Sequence, residues 1–409
     1  MTGGGPLAGI TVVALEQAVS APLCTRTLAD FGARVIKIEH PDRGDFTRYF
    51  DDVVYGLSAH FVWVNRGKQS VALDLRAPDG MAVLHRLLDH ADVLVSNLSP
   101  GTTTRLGLAP PQLAGRHPDL ITVEIDGYGP GGPLSHKRAY DLLVQAEAGS
   151  CAITGTPGAP AKPGPPMADV CAGLYAALSI LALLRDRDRG IRRGDGPASA
   201  MVSLFDTTTE LMGYALTHAR HTGVDQEPVG MGSPAVAPYG AYRTADGQTV
   251  VLGTTNDQEW QRLARDVLGR RDLADDPQLR TNAGRVAARR RLDAEIAAWC
   301  ARHDLAQVQA LADAYGIGNS QFRRPTEVVA HPHLAARNRW RPVDTPGGRT
   351  TALLPPPVIS GYQPPMGPVP ALGEHTDQVL AGVGYSPAEI AALRKRGVIG
   401  PAPTAGTAG

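Results

Sequence analysis

The sequence predicts an α/β protein whose large domain is built on a doubly wound, mostly parallel sheet. Two observations support this prediction: β-branched runs alternate with helical patterns of about ten residues, and Gly32 stands where the first helix should end, a position that favours a left-handed residue. Strands that alternate with such helices form a parallel sheet that is covered on both faces.

The first half of the chain yields these elements in order. The predicted strands and helices are a strand over 10–15, a helix over 21–31, strands over 34–39 and 70–75, a helix over 78–88, a strand over 92–96, a third helix that ends before Pro118, and a strand over 120–125.

The remainder is predicted to be less regular. In order, the expected features are a loop-rich stretch over 127–164 around a helix at 141–149, helices over 170–185 and about 200–218, a hairpin over 240–252 that turns at Asp246-Gly247, amphipathic helices through Tyr315, and a helix over 387–395. Residues 225–335 are therefore expected to form a smaller α+β domain, and residues 401–409 a disordered tail.

Composition excludes several classes of function. The 409 residues include 40 basic and 40 acidic side chains, and this balance argues against a general surface for nucleic acid or anionic membrane. We expect no segment apolar enough to cross a bilayer and no signal peptide, and hence a cytoplasmic protein without a membrane partner.

The four cysteines, Cys24, Cys151, Cys171 and Cys300, have no metal-binding spacing. We expect reduced core residues, with a catalytic cysteine as the alternative. The basic stretch 285–291 is interpreted as a solvated helix face, with a phosphate-binding patch as the alternative.

The β-α-β start resembles a dinucleotide-binding unit, because Glu39 ends the second strand where an acid would bind a ribose. The loop 16–22 lacks the glycines that a pyrophosphate requires, so NAD binding is not expected. No P-loop, HExxH, GxSxG or kinase signature is present.

Two other loops follow predicted strands at the edge where open α/β sheets bind ligands. Residues 97–101 carry Asn97 and Pro100, and Arg105 follows as a donor suited to phosphate. The glycine-rich loop 127–132 would let a ligand approach the backbone. A turn and a surface arginine are the alternative interpretation.

Asp169 directly precedes a predicted helix of small residues. A carboxylate there could simply cap the helix, since it would meet unpaired N–H groups and the positive end of the helix dipole. The alternative is a functional carboxylate.

The chain resembles the class III CoA-transferase family, which also contains the α-methylacyl-CoA racemases. The resemblance extends in order over nearly the whole chain. It rests on residues 6–15, 28–39, 65–74, 92–101 and 127–133, on Tyr140-Asp141 and Ala168-Asp169, and on 372–376.

The resemblance implies a fold, an assembly and a site. The large domain would combine residues 1–224 with a C-terminal return over 336–400, and two subunits would interlock as a homodimer. Asp169 would be the catalytic nucleophile, with acyl-CoA donor and carboxylic acid acceptor as substrates and no permanently bound cofactor or metal. The CoA- or substrate-binding residues would be Ser20, Ala21, Asn97, Leu98, Pro100, Arg105, Gly129, Lys137 and Tyr140.

Tyr140 favours the transferase branch. The racemases have a histidine at this position, and a tyrosine is a poor base for removing an α-proton. An isomerase of the racemase type and CoA transfer within one dicarboxylate remain the alternatives. The glutamine that formyl-CoA transferases carry in the first loop is replaced by Ser20, and their glycine-rich closing loop is replaced by residues 230–239. Residues 140–156, 237–239 and 256–260 are more similar to members acting on C4–C5 dicarboxylates.

Overall fold

The computed structural model describes residues 4–191 and 196–401. The strands are β1 (Thr11–Leu15), β2 (Arg34–Glu39), β3 (Lys68–Ala72), β4 (Val93–Ser96), β5 (Ile121–Asp126), β6 (Gly155–Thr156), β7 (Ala159–Pro160), β8 (Ser199–Ser203), β9 (Tyr239–Arg243), β10 (Thr249–Gly253), β11 (Gly318–Gln321), β12 (Trp340–Thr345) and β13 (Gly348–Leu353).

The α-helices are α1 (Ser20–Asp30), α2 (Ala59–Asn65), α3 (Pro78–Leu88), α4 (Thr102–Arg105), α5 (Pro110–Leu113), α6 (Asp141–Glu147), α7 (Met167–Asp188), α8 (Leu204–Leu211), α9 (Gly213–Thr222), α10 (Asp257–Arg262), α11 (Arg271–Ala274), α12 (Asn282–Ala287), α13 (Arg289–Cys300), α14 (Leu305–Ala314), α15 (Pro325–Val329), α16 (Pro332–Ala336), α17 (Thr376–Gly382) and α18 (Pro387–Lys395). Two 3-10 helices, Phe46–Tyr49 and Pro277–Leu279, and a π-helical turn, Leu263–Val267, complete the described elements.

Six parallel strands form the central sheet in the order β3-β2-β1-β4-β5-β8. Val13 of β1 lies opposite Ile36 of β2 on one side and Leu94 of β4 on the other. Strand order reverses between β1 and β4, and such a switch point leaves a crevice at the carboxyl ends of the two strands. The prediction of a mostly parallel α/β sheet is confirmed.

Helices cover both faces of this sheet. On one face, Leu28 of α1 and Ile180 of α7 pack with strand residues in one apolar cluster. On the other face, Leu84 of α3, Leu380 of α17 and Ile390 of α18 form a second cluster. The last two helices, α17 and α18, therefore pack on the same sheet to which the N-terminal strand β1 belongs.

The helix predicted over about 200–218 is partly wrong. Residues Ser199–Ser203 form β8, the sixth strand, which pairs in parallel with β5. Pairing with an existing strand overrides local helix propensity here. The chain then turns at Ser203, whose side chain accepts the N–H of Asp206 and so caps α8.

The expectation that no segment could cross a bilayer is also corrected. By length and composition, the 22-residue helix α7 would be sufficient to cross a membrane. In this structure α7 packs against α1 and β5, with Ala172 and Ala176 buried. A core helix meets the same criteria, so this feature is weak evidence for a membrane span.

The chain divides into two compact units. One contains the described parts of Met1–Ala148, Gly164–Met212 and Ala335–Gly409, and the other contains Gly149–Pro163 and Gly213–Leu334. We predicted that the smaller domain begins at residue 225, whereas this division begins it at 213 and adds 149–163. From residue 402 onward, the predicted disordered tail lies outside the described residues.

The smaller unit contains an antiparallel sheet in the order β11-β10-β9. The predicted hairpin is confirmed, with Gly247 in the left-handed region at its turn. Arg285 is buried and donates to the carbonyl oxygens of Ala237 and Leu279 and to Asp257. This arginine of the basic stretch is therefore a structural residue, which neither sequence interpretation anticipated.

A buried ionic cluster joins three strands below the carboxyl ends of the sheet. The Glu16 carboxylate, directly after β1, lies 2.6 Å from Lys68 Nζ of β3 and 3.4 Å from Lys37 Nζ of β2. Lys37 also lies 2.9 Å from Asp45, and Thr25 of α1 donates to Glu16 at 2.6 Å. The cluster thus ties the end of β1 to β2, to β3 and to α1.

The charges in this cluster stabilise one another. Burial alone would raise the pKa of Glu16, but the Lys68 and Lys37 ammonium groups outweigh it and lower that pKa. Burial also opposes ionisation of Asp45, yet Lys37 lowers its pKa. Because both folded-state pKa values are depressed, this stabilisation is present above the ordinary carboxyl pKa values and is lost as pH falls through the lowered ones.

Replacing one cation of the cluster should destabilise the fold strongly. Lys37→Ala leaves Asp45 buried without its cation, and we expect the free energy of unfolding to fall by about 3–5 kcal/mol in urea titrations. Arg349→Ala, which breaks the exposed ion pair with Asp344, should leave that free energy almost unchanged. Equal effects of the two substitutions would contradict this view of the cluster.

Candidate active site

A cavity of about 380 Å3 lies at the carboxyl ends of β1, β4 and β5, where the loops after parallel strands meet. Seven of the predicted site residues line this cavity: Ser20, Asn97, Leu98, Pro100, Lys137, Tyr140 and Asp169. The fold therefore brings together side chains that are up to 149 positions apart in the sequence, between 20 and 169.

Asp169 lies in the first turn of α7 and is half-buried. The helix begins at Met167 and Pro166 occupies the N-cap position, so the interpretation of Asp169 as the N-cap is wrong. In the first turn the positive end of the helix dipole still favours an ionised carboxylate.

Asp141 supplies the capping interaction instead. Its Oδ1 accepts the backbone N–H of Ala168 at 3.0 Å, and Gln145 Nε2 donates to its Oδ2 at 2.8 Å. A side-chain acceptor at the helix N-terminus satisfies an N–H group that has no partner within the helix. Asp141 thereby holds the N-terminal end of α7 at Ala168, the residue before Asp169.

Close packing brings the first loop to the same place. At Gly173 of α7, an added Cβ would lie 2.5 Å from the carbonyl oxygen of Ser20, so α7 can approach α1 only with glycine at this position. Gly173 lies one turn after Asp169 on α7. Its contact with Ser20 therefore brings the start of α1 beside the cavity that Asp169 lines.

The Asn97 side chain holds the loop after β1. Its Oδ1 accepts the N–H of Gln17 at 2.9 Å, while its Nδ2 donates to the carbonyl oxygen of Gln17 at 2.7 Å and to Ser20 Oγ at 3.2 Å. The next residue, Ala18, is in the left-handed region with φ 63°, a conformation that costs free energy outside glycine. The Asn97 amide is thus used to position the backbone of this loop.

Tyr140 and Lys137 lie on the loop that connects β5 to α6. Tyr140 immediately precedes α6 and is 60% exposed. Lys137 Nζ lies 3.1 Å from Glu147, whose carboxylate raises the pKa of the lysine. Both side chains are accessible to a ligand in the cavity.

Three predicted binding residues do not line this cavity. Ala21 is fully buried in the core. Arg105 is exposed and donates to Thr102 Oγ1 at 2.6 Å. Gly129 forms a turn with φ 77° and donates its N–H to Asp126. Their roles in binding stay predictions.

The lining residues that sequence reasoning missed include Gln17, Ala18, Phe46, Asp126 and Arg138. The rule that ligands bind beyond the carboxyl ends of strands could have identified Gln17, two residues after β1, and Asp126, the last residue of β5. Arg138 adjoins the predicted Lys137. Phe46 belongs to a 3-10 helix that no sequence pattern indicated.

A second cavity of about 220 Å3 adjoins the first, because Gln17, Leu98 and Thr102 line both. His40 and Arg76 also line it. Glu39, the residue that imitates a ribose-binding acid, accepts two hydrogen bonds from Arg48, at 2.8 and 2.7 Å, and one from Ser70. Glu39 therefore has a structural role.

Within the described residues, no group of three or more histidine, cysteine or acidic side chains could hold a metal ion. The four cysteines are free thiols and none of them lines either cavity. Burial raises the pKa of Cys300 to about 12 and also raises that of Cys171. These thiols are poorly suited to nucleophilic chemistry.

Removal of the Asp141 carboxylate should weaken the start of α7. We expect Asp141→Ala to lower the free energy of unfolding by about 1 kcal/mol, because the N–H of Ala168 loses its acceptor. Asp141→Asn retains an acceptor oxygen and should lose much less. Chemical denaturation of both variants tests this expectation, and an alanine variant as stable as the asparagine variant would contradict it.

Comparison with known proteins agrees with this arrangement. Residues 7–376 match the model of CoA-transferase family III. The succinyl-CoA–D-citramalate CoA-transferase of Chloroflexus aurantiacus is 32% identical over 401 residues, 96% of this chain and 98% of the relative. The succinate–glutarate CoA-transferase of Agrobacterium fabrum is 33% identical over 390 residues, 92% and 95% of the two chains. A crystal structure of a CAIB/BAIF family protein from Brucella suis superposes with a TM-score of 0.78 at 29% identity, covering 93% of this chain and all of the other. The chain belongs to CoA-transferase family III and is a class III CoA-transferase.

Proposed function

We propose that the enzyme moves CoA between C4–C5 dicarboxylic acids, with succinyl-CoA as donor and Asp169 as the covalent nucleophile. The observation that supports this most is the position of Asp169, in the first turn of α7 and on the wall of the main cavity. Similar proteins named as succinyl-CoA–D-citramalate and succinate–glutarate CoA-transferases support the choice of dicarboxylates.

The first half of the reaction consumes the donor. The Asp169 carboxylate attacks the thioester carbonyl and a C–O bond forms. The C–S bond then breaks, so that CoA leaves as the thiolate and a mixed anhydride of Asp169 and the donor acid remains. The thiolate then attacks the aspartyl carbonyl of the anhydride. This step releases the donor acid and leaves CoA on Asp169 as a thioester.

The second half loads the acceptor. The acceptor carboxylate attacks the aspartyl thioester, forming a new mixed anhydride and expelling CoA thiolate. The thiolate attacks the acceptor's acyl carbonyl, which gives the new acyl-CoA and restores the Asp169 carboxylate. The energy of the thioester is kept in each exchange, so no nucleotide is consumed. The anhydride would hydrolyse if water reached it, so the cavity must exclude water during transfer.

The start of α1 could stabilise the oxyanion of each tetrahedral intermediate. Val19, its N-cap residue, makes no side-chain capping hydrogen bond, so the N–H groups of Ser20 and Ala21 keep their capacity to donate, whereas Pro22 has no N–H group. Ser20, the first residue of this turn, lines the cavity. Backbone donors held in place before reaction stabilise developing charge effectively. Ala21, whose side chain is buried, would then contribute through its N–H group.

The two adjoining cavities suggest how CoA binds. We place the thioester end in the larger cavity, near Asp169 and Tyr140, and the nucleotide end in the smaller one. Arg76 and His40 line the smaller cavity and would bind phosphate groups. Arg105, which contacts Thr102 on the shared wall, would add a further cation for phosphate.

Covalent trapping tests the role of Asp169. After incubation with succinyl-CoA, hydroxylamine or borohydride should mark Asp169, and mass spectrometry should locate the adduct. Asp169→Asn should form no adduct and should lose at least about 1000-fold in kcat, because the exchange has no other nucleophile.

Asp188→Asn is the matched control, since this carboxylate lies at the far end of the same helix and is exposed. The control should retain both the adduct and turnover. An adduct on another carboxyl group, or turnover retained by Asp169→Asn, would contradict the proposed mechanism.

We also propose that the enzyme is a homodimer. Leu174, Tyr175 and Leu178 of α7 are 44%, 41% and 60% exposed, and an apolar surface of this kind on a core helix is typical of a contact between subunits. Sedimentation equilibrium should give twice the 43.1 kDa of one chain. A mass of one chain at micromolar concentration would contradict the dimer.

A further inference from the structure

Asp126 is a carboxyl group on the cavity wall that the transfer chemistry does not use. It is the last residue of β5 and lines the same cavity as Asp169. Its Oδ1 accepts the N–H of Gly129 at 2.8 Å, which fixes the orientation of the carboxyl group. Its Oδ2 makes no hydrogen bond with any residue that the structure describes.

The placement of this group is costly. Burial raises the pKa of Asp126, and the neighbouring carboxylate of Asp206 raises it further. A second carboxylate on the wall also repels the carboxylates that the enzyme takes as substrates. The exchange at Asp169 needs one carboxyl nucleophile, so Asp126 requires another explanation.

The positive charges of the same cavity limit the possible explanations. Lys137 is paired with Glu147. Arg138 makes no hydrogen bond or ion pair within the described part of the chain, so its guanidinium is available to the distal carboxylate of a substrate. A dicarboxylate bound in this way would lie in a cavity that also contains the unused acceptor oxygen of Asp126. A hydroxyl group on the substrate is a donor that could satisfy this oxygen.

We propose that Asp126 is a specificity-determining residue that accepts a hydrogen bond from the substrate hydroxyl, so that the acceptor is a hydroxylated dicarboxylic acid. This inference rests on the proposed function. A site that hydrogen-bonds a substrate hydroxyl rejects the analogue without it, because the buried polar group is then left unpaired. For an unsubstituted diacid, Asp126 would contribute only repulsion.

A matched pair of acceptors tests the inference with the full-length enzyme. With succinyl-CoA as donor, kcat/KM is measured for glutarate and for each enantiomer of 2-hydroxyglutarate, which differ from it by one hydroxyl group. We expect the wild-type enzyme to prefer one hydroxy acid by about 10-fold or more. In Asp126→Ala this ratio should fall to about one, and kcat/KM for glutarate should rise because the repulsion is removed.

Asp206→Asn is the control, since Asp206 neighbours Asp126 but does not line the cavity, and it should keep the wild-type ratio. Asp126→Asn retains an acceptor for Gly129 and should give an intermediate ratio, which separates loss of the substrate contact from loss of the turn. An unchanged ratio in Asp126→Ala overturns this inference but not the proposed function. An equal loss of kcat/KM for both acids, which a contact between Asp126 and CoA would cause, has the same consequence. A wild-type enzyme that transfers CoA to none of these acids overturns the proposed dicarboxylate function.

Discussion

The buried carboxylate of Glu16 is the interaction on which the arrangement of the site depends. It joins Lys68 of β3 and Lys37 of β2 to the end of β1, and Thr25 connects it to α1. A buried charge is tolerated only when it is paired and hydrogen-bonded. The position of the residue after β1 is therefore fixed, and so is the point from which the loop that begins at Gln17 reaches the cavity.

The parallel direction of the strands and their order in the sheet position the loops that form the site. The loops after β1, β4 and β5 reach the same edge because the strands run in the same direction, and the reversal of order between β1 and β4 leaves space between them. Asn97 then spans that space by holding both backbone groups of Gln17. We predicted Asn97 as a binding residue, but its amide mainly shapes the wall.

Local patterns predicted most of the sheet and the helices α1 and α3, because buried parallel strands and their helices have strong signals. They failed at β8, where pairing with β5 forms a strand that its own residues do not favour. They also misplaced Asp169, since the cap of α7 comes from Asp141, 28 positions before it in the chain. Asp126 directly follows the strand predicted over 120–125, but no motif distinguished it from other residues at strand ends. It becomes a candidate only when the end of β5 is seen to face the cavity.

In the exchange that we propose, the central physical problem of this site is that nucleophile, donor and acceptor are all anions. The dipole of α7 supports the charge on Asp169, but this effect declines within the first turn. Of the two cations on the wall, Lys137 is shared with Glu147. Asp126 is compatible with such a site only if the substrate provides a hydrogen-bond donor that compensates the repulsion between the carboxylates. A hydroxyl group does this without adding charge, whereas a further carboxylate would need a second free cation, which the described part of the cavity does not offer.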